Sequence, residues 1–219
     1  MIHPSKPELL LATNNRGKIR EYQSLLRGIL YKIVTPADLG IAVAVEEAGV
    51  GFKENASLKA VAAARQSGRL SLADDSGLEV DALGGEPGPL SARYAGQGAS
   101  DTERIRFLLS KLKDVPAAKR TARFRCVIAI AAPPNLSLRG VPMKSGRRGN
   151  LSQSVKLFSG ECRGVIIDKP RGAHGFGYDP VFFIPGLGKT MAELTLAEKN
   201  RISHRAKAAE KARDYLINM

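Results

Sequence analysis

Apolar residues in this chain come in short blocks whose spacing switches between strand-like and helix-like. Leu9 to Ala12 form a continuous apolar run of strand length, and Ile19, Tyr22, Leu25, Leu26 and Ile29 then recur at helical spacing. Tyr31 to Thr35 read as a second short strand, and the alanine-rich run from Phe52 to Arg65 as a helix of high intrinsic propensity. The next apolar run, Leu70, Leu72 and Ala73, gives way to Asp74-Asp75-Ser76-Gly77, which the pattern reads as a strand end bearing two adjacent carboxylates. Ile105, Leu108, Leu109 and Leu112 mark a helix that Ser100 or Asp101 caps and that ends near Pro116. Ala122 to Ala132 suit a central strand covered on both faces. Val155 to Phe158 and Gly164 to Ile167 are predicted as two further strands. Met191 to Glu198 and Ile202 to Ile217 are predicted as helices joined through Lys199 to Arg205, with Ser203 as a cap.

The polar connections carry the chemistry. Between the first strand and helix lies Thr13-Asn14-Asn15-Arg16-Gly17-Lys18, where free amides and a helix N-terminus suit a phosphate and Lys18 can reach one. It lacks the spacing of the Walker loop, and capping of the helix by Asn14 or Asn15 stands as the competing reading. Asn55 and Lys59 share one helix face, fit either for a phosphate or for solvent. Of Asp74 and Asp75, strand alternation lets one enter a given site while the other turns away. A carboxylate there suits a hard cation such as magnesium or the alignment of a water; an ordinary Asp-Asp-Ser-Gly turn is the alternative. Glu46 and Glu47 can complete a metal site or lie on a solvated surface. In Gly175-Phe176-Gly177-Tyr178-Asp179, the glycines let a flat ligand approach the aromatic ring, with a phenylalanine in a core turn as the alternative, and His204 and Arg205 are adjacent donors near a helix start or ordinary surface residues.

Composition narrows the field. The chain has 219 residues, long enough for one globular domain of one or two lobes. A formal charge of +13 attracts anions: polynucleotide, acidic lipid or the phosphates of a small substrate. The basic stretch from Pro133 to Ser154 is read as an exposed insertion, with Arg139, Lys144, Arg147 and Arg148 in a solvated loop. No aromatic residues interleave with those charges as a stacking platform requires, so nucleic acid is not expected as a partner. The longest apolar run is far below the roughly twenty residues of a membrane-spanning helix, so no membrane association is expected. Cys126 and Cys162 have neither zinc nor redox spacing, and the amino terminus lacks a cationic-then-apolar leader; reduced thiols and a cytoplasmic location follow as expectations.

Thr13 to Lys18, Phe52-Lys-Glu-Asn-Ala56 with Lys59, Ala73 to Gly77, Gly84-Gly-Glu-Pro-Gly88, Gly175 to Pro180 and Ser203-His-Arg205 occur in one register across nearly the whole chain. In this it resembles the inosine triphosphate pyrophosphatase family, the Ham1-like dITP/XTP pyrophosphatases, which hydrolyse ITP, dITP and XTP to monophosphate and pyrophosphate. The resemblance implies an α/β fold with an elongated mixed central sheet flanked by helices, two lobes around a substrate cleft, a single pyrophosphatase domain over residues 1–219, and a homodimer. It makes Thr13, Asn14, Asn15, Arg16, Gly17, Lys18 and Lys59 the triphosphate site. Asp75 becomes proton acceptor and magnesium ligand, with Glu46 or Glu47 as the second metal carboxylate. Ser76, Phe176, Gly177, Tyr178, Asp179 and Lys199 become substrate contacts, and His204 with Arg205 the readers of the purine edge. The Ser-x-Ser-Pro-x-Arg opening of the related Maf type is absent. A basic nucleic-acid-binding domain without activity is the rival of a different class, and it predicts salt-sensitive polynucleotide binding. The length of the basic insertion and His174, where a small residue is usual, depart from the family pattern.

Overall fold

The computed structural model describes residues 6–43, 51–134 and 155–219. Glu46, Glu47 and nearly all of the basic stretch lie outside the described residues. Leu9, Leu10 and Leu11 are at most 1% exposed and build strand β1 (Glu8–Leu11), followed by helix α1 (Arg16–Leu25) and strand β2 (Lys32–Val34). Helix α2 (Phe52–Ser67) turns Ala56, Ala60, Ala63 and Ala64 inward, and these side chains are small enough for its backbone to lie close to its neighbours. Then come β3 (Leu70–Val80), α3 (Asp101–Lys111), β4 (Thr121–Ala131), β5 (Val155–Ile166), β6 (Phe182–Ile184), β7 (Lys189–Thr190), α4 (Leu196–Ile202) and α5 (His204–Ile217).

The seven strands form one sheet in the order β2-β1-β3-β4-β5-β6-β7. Strand β1 runs parallel to β2 and β3, whereas β6 is antiparallel to β5 and β7, so the sheet is mixed and flanked by helices, as expected for α/β. The chain divides into two compact units. The first comprises Met1–Asp75, Val127–Ser159 and Ala208–Met219; its core joins Phe52, Ala56, Ala60 and Ala64 of α2 to Ala73, Val127, Ala129 and Ala131. The second comprises Ser76–Cys126 and Gly160–Lys207, with a core of Leu78, Val80, Ile105, Leu108, Phe124, Tyr178, Val181 and Phe182 among others.

Three expectations are corrected. Asp74 and Asp75 lie inside β3, not at a strand end or in a turn, because apolar residues resume at Leu78 and Val80 and the buried carboxylates have cationic partners. The two strands expected after the basic stretch are one, since Ser159 and Gly160 stay extended within β5. The segment expected as a helix over 191–198 followed by a connection is instead a 3-10 turn (Met191–Glu193) and then α4, with Ser203 alone before α5. Leu194 is extended (ψ 140°), and Thr195 starts the next helix by accepting the Glu198 N–H while Glu198 accepts the Thr195 N–H. Ser203 caps α5 as expected, its Oγ accepting the Ala206 N–H at 3.1 Å.

Candidate active site

In the first unit the polar loop after β1 is built by its own side chains. Thr13 Oγ1 accepts the Asn15 N–H at 3.2 Å, and Asn15 Oδ1 accepts the Lys18 N–H at 3.0 Å, capping α1. Asn15 is thus the cap, while Asn14 and Arg16 are exposed and Gly17 is half-buried in the first turn. Lys18 reaches Asp74, Nζ to Oδ1 at 3.0 Å, and Lys59 reaches Asp75, Nζ to Oδ1 at 2.8 Å. The other oxygen of Asp75 accepts Asn55 Nδ2 at 3.2 Å, so α2 addresses both ends of this carboxylate from residues one turn apart. Alternation along β3 therefore gives each aspartate a different lysine, one from α1 and one from α2. Burial pushes the Asp75 carboxyl above its ordinary value of 3.8, against the opposing pull of Lys59, Asn55 and Lys18.

In the second unit the polar groups gather around Phe176. Its ring lies 4.9 Å from Lys199 Nζ and 5.5 Å from the Arg205 guanidinium carbon, within cation–π range of both. Lys199 is bonded to Asp179 Oδ2 at 2.5 Å, and the same oxygen accepts the Phe176 N–H at 3.0 Å. A β-carbon on Gly175 would lie 2.0 Å from Asp179 Oδ2, and φ is +75° there, so only glycine fits beside this carboxylate. The next amide, Gly177 N–H, donates to Asp101 Oδ2 at 2.6 Å, and Arg205 Nη2 donates to Ser76 Oγ at 2.7 Å. Tyr178 is buried with its hydroxyl on the Ser91 carbonyl at 3.0 Å, and burial raises its pKa, so its phenol serves the interior. His204 lies flat on Phe124, ring centroids 4.8 Å apart, with its ring packed in the interior beside Arg205.

The profile of the Ham1 family matches residues 9–215, nearly the whole chain. The chain belongs to the Ham1 family. Among its curated Ham1 relatives, the dITP/XTP pyrophosphatases of Desulforamulus reducens and Geobacter sulfurreducens are each 47% identical to it, over 95% of this chain and 95% and 96% of theirs. Among solved structures, a HAM1 protein from Coxiella burnetii superposes with a TM-score of 0.81 at 39% identity, over 97% of this chain and 100% of that one. The Staphylococcus aureus Ham1 protein gives 0.78 at 40% identity, over 95% and 97%.

For a Ham1 chain the donor set bears on the metal. Among the described residues no group of three His, Cys, Asp or Glu side chains is assembled, so these residues form no all-protein cage. The buried Asp75 carboxylate is a hard oxygen donor. One or two carboxylates plus substrate phosphates and water is the ligation that magnesium takes, so the residues present fit it. No helix among the described residues is long and apolar enough to cross a membrane.

The Ham1 residues named from the sequence thus fall into two groups. Lys18, Lys59 and Asp75 come together in the first unit, and Ser76, Phe176, Asp179, Lys199 and Arg205 in the second. Asp74 and Asp101 were missed as site-building residues. Asp74 has an adjacent carboxylate as its only sequence signal, and Asp101 reads from sequence only as a helix-start residue.

Proposed function

We propose that this Ham1 chain hydrolyses dITP, ITP and XTP to the monophosphate and pyrophosphate, removing non-standard purines from the nucleotide pool. The reading is carried by Asp75, a carboxylate buried and raised in pKa yet bound to Lys59 and Asn55 and within the influence of Lys18. It is supported by relatives bearing the name dITP/XTP pyrophosphatase at 47% identity.

Hydrolysis at a phosphoryl centre depends on positioning and charge neutralisation more than on covalent help. An ammonium carries three N–H donors, so Lys18, while bonded to Asp74, still has donors for a phosphate oxygen. Thr13, Asn14, Asn15, Arg16 and Gly17 would line the triphosphate beside it, with Lys59 and Asp75 at the scissile bond. Asp75 would align the attacking water and take its proton; burial, which raises its pKa from the ordinary value, makes it a better base. Asp75, with Glu46 or Glu47, would hold Mg2+, whose chemistry is neutralisation of the phosphate charge and polarisation of the phosphoryl oxygens.

The purine falls to the second group. Phe176 offers a face, Gly177 an open approach, and Tyr178, Asp179 and Lys199 the frame. Arg205, with His204 beside it and Ser76 held at its tip, would give donors to an oxygen at purine position six. Adenine's amino group at that position would face donor with donor, leaving buried groups unpaired. The overall positive charge speeds encounter with an anionic substrate. We also assign a homodimer as the assembly.

The test is a panel of inosine, deoxyinosine, xanthosine, guanosine, adenosine and thymidine triphosphates with and without Mg2+, followed by product identification. The expected result is monophosphate and pyrophosphate from the inosine, deoxyinosine and xanthosine substrates. Stepwise release of orthophosphate, or equal use of ATP, overturns the reading.

A further inference from the structure

Asn55 is 0% exposed, yet nothing in the local fold of α2 calls for it. Gly51 is the helix N-cap, so Asn55 is not, and asparagine is a poor helix former among the alanines around it. One half of its amide is accounted for, because Nδ2 donates to Asp75 Oδ2 at 3.2 Å. The other half is not: Oδ1 is buried with no hydrogen-bond partner among the described residues. A buried acceptor left in that condition costs stability. The amide is also fixed in place, since the bond from Nδ2 holds this planar group against the carboxylate, and Lys59 holds the carboxylate's far oxygen at 2.8 Å.

We infer that Asn55 positions the attacking water, its carbonyl oxygen accepting one O–H of the molecule whose other O–H points to Asp75. The inference rests on the pyrophosphatase reading above. A water held by both protons has its oxygen lone pairs directed away from those two partners, which converts a freely tumbling nucleophile into an oriented one. In the step itself the water oxygen bonds to the α-phosphorus. The bond from that phosphorus to its bridging oxygen breaks, and the oxygen leaves with the electron pair as pyrophosphate. Asp75 takes one proton, and the proton on Asn55 stays with the new phosphate oxygen until solvent removes it. Asn55 itself neither gains nor loses an atom. An interior site for this water is sustained by two polar partners, the minimum that a buried water requires.

The experiment compares wild type with Asn55→Leu, which keeps the volume and removes both halves of the amide, and Asn55→Ser, which restores a smaller acceptor. Steady-state kinetics on dITP at saturating Mg2+ are measured with thermal melting of each protein. The expected result for Asn55→Leu is a fall in kcat of about 10- to 100-fold with KM within about threefold, the scale of a misplaced reactant. Its melting temperature should fall by no more than the lost Nδ2 bond to Asp75 accounts for, with kinetics run well below it, and Asn55→Ser should recover part of kcat. A crystal structure with Mg2+ and α,β-imido-dITP should show a water bonded to both Asp75 and Asn55 Oδ1. The inference is overturned if wild type releases pyrophosphate while Asn55→Leu keeps kcat, if kcat falls only in step with melting temperature, or if Oδ1 meets the cation or another protein group. Failure of wild type to release pyrophosphate at all instead removes the pyrophosphatase reading beneath it.

Discussion

Replacing Lys199 by methionine keeps the length of the side chain and deletes its charge, which isolates the electrostatics of the segment around Phe176. The Lys199 and Asp179 side chains are 4% and 3% exposed, so little solvent is available to replace the lost partner. Asp179 would remain as a buried carboxylate holding the Phe176 N–H. Removing one member of such a pair costs about 3–5 kcal/mol, most of it the penalty of stranding the other charge. In a chain of this length each kcal/mol corresponds to roughly 2–4 °C, so the melting temperature should fall by about 6–20 °C. Asp179→Asn in the same background removes the stranded charge while keeping an acceptor for Phe176, and should recover stability with a coupling of about 1–3 kcal/mol. Urea denaturation of the four proteins of the cycle gives these values directly. A loss below about 0.5 kcal/mol for Lys199→Met, or strictly additive variants, would refute the claim that this pair holds the segment by charge.

Two further outcomes follow from the geometry. The Glu198 carboxyl accepts the Thr195 N–H and hydroxyl, and with Lys189 nearby this lowers its pKa from 4.5 to about 2. A carboxyl lowered on folding stabilises above its unfolded pKa and loses that contribution as pH falls through the folded one, so stability should decline between 4.5 and about 2. Glu103 and Glu193, lowered by comparable bonds at other helix starts, add to the same decline, and Glu198→Gln should make it shallower in urea titrations at stepped pH. Asp101→Ala removes a charge-assisted bond from the Gly177 amide, of a kind worth about 1.5–3 kcal/mol. If roughly 1.4 kcal/mol of this falls on substrate affinity, KM for dITP rises about tenfold with kcat little changed. An unchanged KM with a lower melting temperature would make Asp101 a helix-start residue alone.

Much of this architecture is legible because it is local. The apolar runs of β1 and β4, the alanine face of α2 and the Ser100 start of α3 are each written within a dozen residues. What is not legible depends on partners distant in sequence. Asp74-Asp75-Ser76-Gly77 has the composition of a turn, and it continues as a strand because Lys18 and Lys59 meet the carboxylates. The continuity of β5 through Ser159-Gly160 has no local signal, because both residues are commoner in turns than in strands. The helix start after Leu194 is written in the Thr195 and Glu198 spacing, which the longer apolar pattern masks. At the site, the cap of α1 by Asn15 is local and legible, whereas that Tyr178 spends its hydroxyl on Ser91 and that Asp101 holds the Gly177 amide are relations across space.

The central claim is that a buried Asp75 carboxylate is kept for chemistry at the expense of stability, and Asp75→Asn tests it most directly. Because burial raises the Asp75 pKa, its charged form is disfavoured in the fold; the stabilising protonated form is present below 3.8 and lost as pH rises through the raised value. At neutral pH the uncharged asparagine should therefore leave the melting temperature equal or higher, while kcat/KM for dITP with Mg2+ falls by about 10²–10⁴-fold, the range for loss of a general base. Pyrophosphate release within about threefold of wild type by a well-folded Asp75→Asn protein would contradict the account.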